Sequence, residues 1–397
     1  MSRIVVTLVV IVVLVLVVVQ LVRSTPAPAL TMDVPASHSL PGGPPSLPWP
    51  SMGTATVAVE GAGTMGSYGG DQQYAIASLT KMMTALVILD DHPLTLGESG
   101  PSITITQADV QQYLTDKSEG DSVVAVTPGE KITELQALEG ALIPSGDNMA
   151  ELLADWDAGS VPAFVTRMDQ RAQALGLHHT HYADASGVNP ATVSTARDQL
   201  KVAEAAMANP VFAGIVSMAQ VTLPVAGVQP NVNADLGKNG IVGVKTGWVP
   251  AGGGSFVFAA QHTVDAHKVT VIGAVLGQQG VTPLPTALSV GSSLATAAAG
   301  AVQVDQVLAK GTTVATITAP YSSSVPLVAA SGATLVAWPG ATVTETLHLT
   351  RKVAAPIVKG SPMGNLVVSI GSEQASVPVV AEGSLSGASL TWKLTRT

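Results

Sequence analysis

The segment AIASLTKMMTALVIL, residues 75–89, decides how the rest of the chain is read. Ile76, Leu79, Met82, Met83, Leu86, Val87, Ile88 and Leu89 make it apolar on nearly every side. A helix of that kind is a buried one. Ser78 and Lys81 nevertheless stand near its start, three residues apart, so that a helix puts them on one face. A buried ammonium is costly unless it is paired or neutralised. Serine is a weak nucleophile until a neighbouring base takes its proton. Lysine can be that base when burial and a nearby cation lower its proton affinity. A serine in the first turn also sits at the positive end of the helix dipole. The plainer alternative is a lysine whose stem is buried while its tip reaches water. No other S-x-x-K occurs in the chain.

The 397 residues suggest two or three domains. With 47% hydrophobic and 11% charged residues, a large core can be buried. A net charge of -9 without Lys/Arg runs points away from nucleic acid. The absence of cysteine excludes disulfides, thiolate zinc sites and cysteine nucleophiles. No cofactor or metal is expected.

IVVTLVVIVVLVLVVVQLV, residues 4–22, is uncharged and matches the roughly 20 residues that span a bilayer. Residues 1–23 therefore read as a signal anchor, or as a signal peptide cleaved near Ala27-Pro28-Ala29. Either way the remainder is expected outside the cytoplasm, held at the membrane or secreted to the wall. Arg3 before the span favours an inside N-terminus, and Arg23 after it weakens that bias. Residues 24–50 hold eight prolines and read as a semi-extended spacer.

Residues 51–300 read as the main domain. TATVAVEGAG opens it as a strand running into a turn; helical patterns follow at 75–89, 131–156 and 195–208, the last with Ser194 as candidate cap. GIVGVKTGW (240–248), GSFVFAAQHT (254–263) and KVTVIGAVLG (268–277) read as three strands. The order predicts an α+β fold, an antiparallel sheet with helices on its faces. Residues 305–397 break into short strand-like runs, from TTVATITAP to ASLTWKLT, and predict a small all-β sandwich without chemistry of its own.

Two further motifs lie in the main domain. IPSGDNMAELLADW (143–156) places a Pro144-Ser145-Gly146 turn before a helix that opens with Asp147 and Asn148. By itself this is an ordinary helix start with an acid at the favourable end of the dipole. Lys245-Thr246-Gly247, the sole KTG, lies on a predicted strand. Its lysine would supply the cation that lowers the proton affinity of Lys81, and Thr246 a hydrogen bond to a substrate carboxylate.

Taken in order, S-x-x-K, a Ser-Gly turn before a helix and K-T-G are the motif set of penicillin-recognising serine enzymes. With ASLTKMMTAL, STARD (194–198) and GVKTGW (243–248), residues 51–300 resemble the serine-type D-alanyl-D-alanine carboxypeptidases, the low-molecular-weight penicillin-binding proteins. APIVKGSPMGNLVVSI (355–370) resembles the β-domain that follows the peptidase in many members. The resemblance implies that Ser78 attacks the carbonyl between the two D-alanines of a peptidoglycan stem peptide and that Lys81 takes its proton. It implies that Ser145 relays a proton to the leaving amine, and that the N–H groups of Ser78 and Trp248 hold the oxyanion. Lys245, Thr246, Gly247 and Trp248 would bind substrate, β-lactams would acylate Ser78, and the membrane would be reached through residues 4–22.

Three departures stand out. Members usually have Asn two residues after the second serine; here that position is Asp147 and Asn148 follows. A shifted loop that brings the Asn148 amide into the cleft is the expectation, with Asp147 pointing inward as the alternative. No arginine lies between Arg197 and Arg351 to bind the substrate carboxylate, which leaves that task to Lys245 and Thr246. ASLTWKLTRT reads as a strand and not as an amphipathic membrane helix. Two other functions compete: a catalytically weak wall-binding protein, supported by Asp147, and a β-lactamase. Against the latter, the only glutamate between Glu151 and Lys245 is Glu204, in a predicted helix.

Overall fold

The computed structural model describes residues 3–396. Ten helices lie among them: α1 (Arg3–Val22), α2 (Thr80–Asp91), α3 (Gln107–Glu119), α4 (Glu134–Leu142), α5 (Asp147–Ala158), α6 (Val161–Ala174), α7 (Ala196–Met207), α8 (Pro210–Val216), α9 (Pro283–Ala301) and α10 (Leu390–Thr395). The chain divides into two compact units, Gly43–Gln303 and Met1–Gly42 with Val304–Thr397.

The first unit is built on a five-stranded antiparallel sheet, in the order Ile241–Val249, Gly253–Val264, His267–Gln278, Thr54–Val59, Gly63–Tyr68. The three strands expected between 240 and 277 are its first three. The opening hairpin adds to their far edge, with Val57 opposite Gly273. Phe256 and Phe258 face α9; a Cβ on Gly291 of that helix would lie 2.5 Å from the Phe256 ring. Val257 and Ala259, on the other face, join the core formed with α2 and α7. Cover on both faces explains why residues 253–260 are buried without alternation. The α+β expectation holds.

Local signals set the helix boundaries. Thr106 and Asp109 cap α3 reciprocally, as Thr133 and Gln136 cap α4. Thr195, not Ser194, caps α7, its hydroxyl accepting from Asp198 N. The helical pattern over 131–156 is interrupted. Lys131–Thr133 is a strand, and α4 ends before Pro144, where the residue preceding proline disfavours helix. Residues 43–50 pack on the sheet: Leu47 is buried, and Trp49 covers Gly66.

The second unit is a seven-stranded antiparallel sheet, ordered Ala29–Met32, Thr313–Ala319, Ser322–Ala329, Glu373–Ala381, Pro362–Ile370, Thr342–Leu349, Ser37–Ser39. Ala333–Ala337, paired with Gln303–Leu308, packs on two central strands as a thin second layer. Two sequence expectations are corrected here. Residues 24–50 are not a spacer throughout: 29–32 and 37–39 form the two edges of this sheet. Pro28, Pro35 and Pro41 flank those strands without interrupting them, and edges tolerate such neighbours. Residues 390–395 are helical and not a strand; Ser389 caps the turn by accepting from Trp392 N at 3.1 Å.

Candidate active site

Ser78 lies in a single 3-10 turn, Ala77–Leu79, that leads into α2. Ala77 before it has φ +51°, in the left-handed region that a residue with a Cβ adopts only under constraint. The constraint is visible on two sides. Gly247 of the Ile241–Val249 strand comes so close that a Cβ there would stand 2.8 Å from the Ile76 carbonyl oxygen. Thr80 Oγ1 donates to the Ala77 carbonyl at 2.7 Å from within the turn. The glycine of K-T-G thus permits the contact that aims Ser78.

Lys81 is fully buried in the first turn of α2. Its Nζ has three neighbours: Ser78 Oγ at 2.9 Å, Asp147 Oδ1 at 2.5 Å and the Ser186 carbonyl oxygen at 2.9 Å. Two are acceptors only and one is a hydroxyl. An ammonium donates to all three; an amine donates to the two acceptors and receives the hydroxyl proton on its lone pair. A proton can pass from Ser78 to Lys81 without either side chain moving.

Ser145 occupies the turn between α4 and α5 with φ +67°, a second non-glycine residue in the left-handed region. Its hydroxyl accepts from Lys245 Nζ at 2.9 Å. Lys245 is 1% exposed and also donates to the Thr246 carbonyl at 3.2 Å. Burial, then the charge of Lys81, push its proton affinity well below that of an ordinary lysine; Asp147 opposes them. Thr246 is buried beside it, and Trp248 is 51% exposed at the end of the motif.

The structure corrects the expectation for Asn148. Asp147 points inward, its Oδ1 on Lys81 and its Oδ2 accepting from Ser122 N at 3.0 Å. The Asn148 amide is turned away and used up on Val124, accepting from its N–H and donating to its carbonyl, both at 2.9 Å. Successive residues of a helix point about 100° apart, so one start cannot aim both side chains at the cleft. The segment 121–126 decides which one enters.

One participant escaped the sequence reading, the loop 184–192 that brings the Ser186 carbonyl to Lys81. Asp184 organises it, accepting from Gly187 N at 2.8 Å, Asn189 N at 3.0 Å and Thr192 Oγ1 at 2.5 Å. Asp-Ala-Ser-Gly-Val-Asn-Pro carries the composition of a structured turn, the one signal available. STARD is structural, its Asp198 holding His179 N and Thr180. Behind the cleft on α5, burial and then Asp116, Asp147 and Asp184 push Glu151 up to about 7, against the pull of Lys81. Among the described residues no cluster of three metal-ligating side chains forms.

A family profile described as D-alanyl-D-alanine carboxypeptidase matches residues 63–280, more than half of the 397. The D-alanyl-D-alanine carboxypeptidase of Streptomyces sp. strain K15 is 32% identical over 228 residues, 53% of this chain and 75% of that one. The crystal structure of the Streptomyces K15 DD-transpeptidase superposes with a TM-score of 0.56 at 29% identity, over 64% of this chain and 99% of the other. The D-alanyl-D-alanine carboxypeptidase DacD of Francisella tularensis shares the fold over 86% of this chain and 95% of its own, with a TM-score of 0.61 at 21% identity. The chain belongs to the D-alanyl-D-alanine carboxypeptidase family of serine peptidases.

Proposed function

We propose that this enzyme removes the terminal D-alanine of peptidoglycan stem peptides through an ester on Ser78. The 2.9 Å contact between Ser78 Oγ and the buried Lys81 Nζ carries the proposal. Ser78 Oγ attacks the carbonyl carbon of the penultimate D-alanine as its proton passes to Lys81. The N–H groups of Ser78 and Trp248 hold the oxyanion. Collapse breaks the C–N bond, and the leaving amine takes a proton through Ser145. Water then attacks the ester, giving the acid and restoring the Ser78 hydroxyl. Lys245 and Thr246 receive the substrate carboxylate, and a β-lactam acylates Ser78 by the same route. Residues 51–300 carry this chemistry; residues 305–397, with the two edge strands from 29–39, form a body without a part in it. The apolar helix α1, 0% buried, anchors the protein outside the cytoplasmic face of the membrane.

Labelling with a fluorescent penicillin, followed by mapping of the adduct, tests this. Label on the peptide containing Ser78, and none in Ser78→Ala, is the expected result. An adduct elsewhere, or none at saturating drug, overturns it. One observation favours a second reading, a wall-binding protein with a weak site: the buried Lys81–Asp147 ion pair, which engages the nitrogen that the reaction needs as its base. Release of D-alanine from a peptide ending in D-Ala-D-Ala separates the two, since the wall-binding reading has binding without release.

A further inference from the structure

The last carbonyls of a helix have no partners within it. At the end of α1 they are met from far along the chain. Arg396 donates to the carbonyls of Gln20 at 2.9 Å, Arg23 at 2.6 Å and Ser24 at 3.0 Å, and Gln20 Nε2 donates back to the Arg396 carbonyl at 3.1 Å. A guanidinium there also faces the negative end of the helix dipole. It lies 5.2 Å from the Trp392 ring, which meets Tyr321 edge to face at 5.4 Å. Trp392 Nε1 donates to the Pro320 carbonyl at 3.1 Å. α10 is therefore fixed to α1 at one end and to the turn joining Thr313–Ala319 and Ser322–Ala329 at the other. Ala29–Met32 pairs with Thr313–Ala319, so only residues 24–28 separate the end of the apolar helix and its neighbour Arg23 from the sheet.

The surface of this clasp has the character of a bilayer interface. Leu390 is 69% and Leu394 44% exposed, and at i, i+4 they share one face of α10. Trp392 and Tyr321 are the residue types that gather at headgroup depth. Arg23, Lys393 and Arg396 are basic, and no acid occurs within 390–396 or 20–32. Where the bilayer excludes water, carbonyls at a helix end need protein donors, and Arg396 supplies them. We infer that α10 and the 319–322 turn form a collar in the headgroup layer of an anionic bilayer, with Leu390 and Leu394 facing lipid, so that the β-domain lies on the membrane surface. This rests on the anchor reading of α1.

The chain has no cysteine, so a single introduced one reports cleanly. The full chain carrying Leu394→Cys, labelled with a polarity-sensitive fluorophore, is reconstituted into phosphatidylcholine/phosphatidylglycerol vesicles with a quencher on the shallow acyl chain. The expected result is a blue shift and loss of most of the emission at 394, against no change for the same label at Val281→Cys, a fully exposed loop position of the other unit. Adding Arg396→Ala is expected to abolish the quenching at 394, while the protein still floats with vesicles and Ser78 still takes penicillin. A chain that fails to float overturns the anchor reading and the collar with it. A chain that floats with 394 unquenched overturns the collar alone, as does quenching that survives Arg396→Ala.

Discussion

Asp147→Asn exchanges one carboxylate oxygen for an NH2 group with almost no change in size, at the point where this chain departs from its relatives' usual second motif. The native carboxylate has two fixed duties, Lys81 Nζ at 2.5 Å and Ser122 N–H at 3.0 Å. An amide can perform only one of them with its oxygen. If the oxygen keeps Lys81, the NH2 faces the Ser122 N–H, donor against donor. If it takes Ser122 N–H, the NH2 faces Lys81, and only an unprotonated lysine can accept from it. Both outcomes disfavour the ammonium relative to the wild type.

At an effective dielectric of 20, unit charges at that separation attract by about 7 kcal/mol before their desolvation is set against it. Even if desolvation leaves only about 1.4 kcal/mol of that attraction, releasing the lysine nitrogen from it is worth roughly tenfold in rate. The expected outcome is penicillin acylation of Asp147→Asn about tenfold faster near neutral pH. Stopped-flow acylation across the pH range measures this, with a melting curve as control. A folded variant that is equal or slower at every pH refutes the reasoning, because the carboxylate would then be orienting Lys81 and not restraining it.

Lys81→Arg should lower acylation by about a hundredfold or more, the usual contribution of a general base, since a guanidinium does not give up its proton; the same stopped-flow assay reads it. Asn148→Ala should act on stability and not on chemistry. It orphans the N–H and carbonyl of Val124 in a buried site, a loss of about 2 kcal/mol or more on urea denaturation, and a normal stability with failed acylation would return Asn148 to the cleft. Glu134 is fully buried, neither of its carboxylate oxygens has a hydrogen-bond partner, and burial pushes it up to about 7 from 4.5, with His92 opposing. An acid raised on folding binds its proton more tightly in the native state. The contribution of Glu134 to stability is therefore greatest below about 4.5 and is lost as pH rises through about 7. Glu134→Gln should raise the unfolding free energy at pH 8 by on the order of 3 kcal/mol while leaving pH 4 little changed; an equal effect at both pH values would show that the charge is not the cause.

The residues proposed for the reaction were legible where chemistry demands particular letters in a small window. Ser78 and Lys81 betray themselves by standing in a run that is otherwise apolar, and Lys245 by a tripeptide on a predicted strand. The three strands from 241 to 278 were legible because turns bound them. What tertiary contacts decide was not. The Ser186 carbonyl that holds Lys81 is a backbone group, and no residue letter announces it. Whether Asp147 or Asn148 enters the cleft is settled by Ser122 and Val124, about 25 residues earlier. Leu390, Trp392 and Leu394 alternate like a strand, yet 390 and 394 also share a helix face, and five residues cannot separate the two periods. The strands at 29–32 and 37–39 are edges with mostly exposed side chains, so no apolar pattern marks them among the prolines.

The site holds two Ser–Lys pairs, Ser78 with Lys81 and Ser145 with Lys245, and a single carboxylate, Asp147, in contact with the first. Two buried ammonium groups within reach of each other would repel, and one anion offsets only one cation. The proton affinity of Lys245 is accordingly low, through burial first and Lys81 second. That division suits the two lysines to different stages. While the cleft is empty, Asp147 lies on Lys81, and Lys245 is the lysine whose proton affinity burial holds low. On the proposed function, a substrate carboxylate arriving at Lys245 and Thr246 would bring a second anion and restore proton affinity to Lys245.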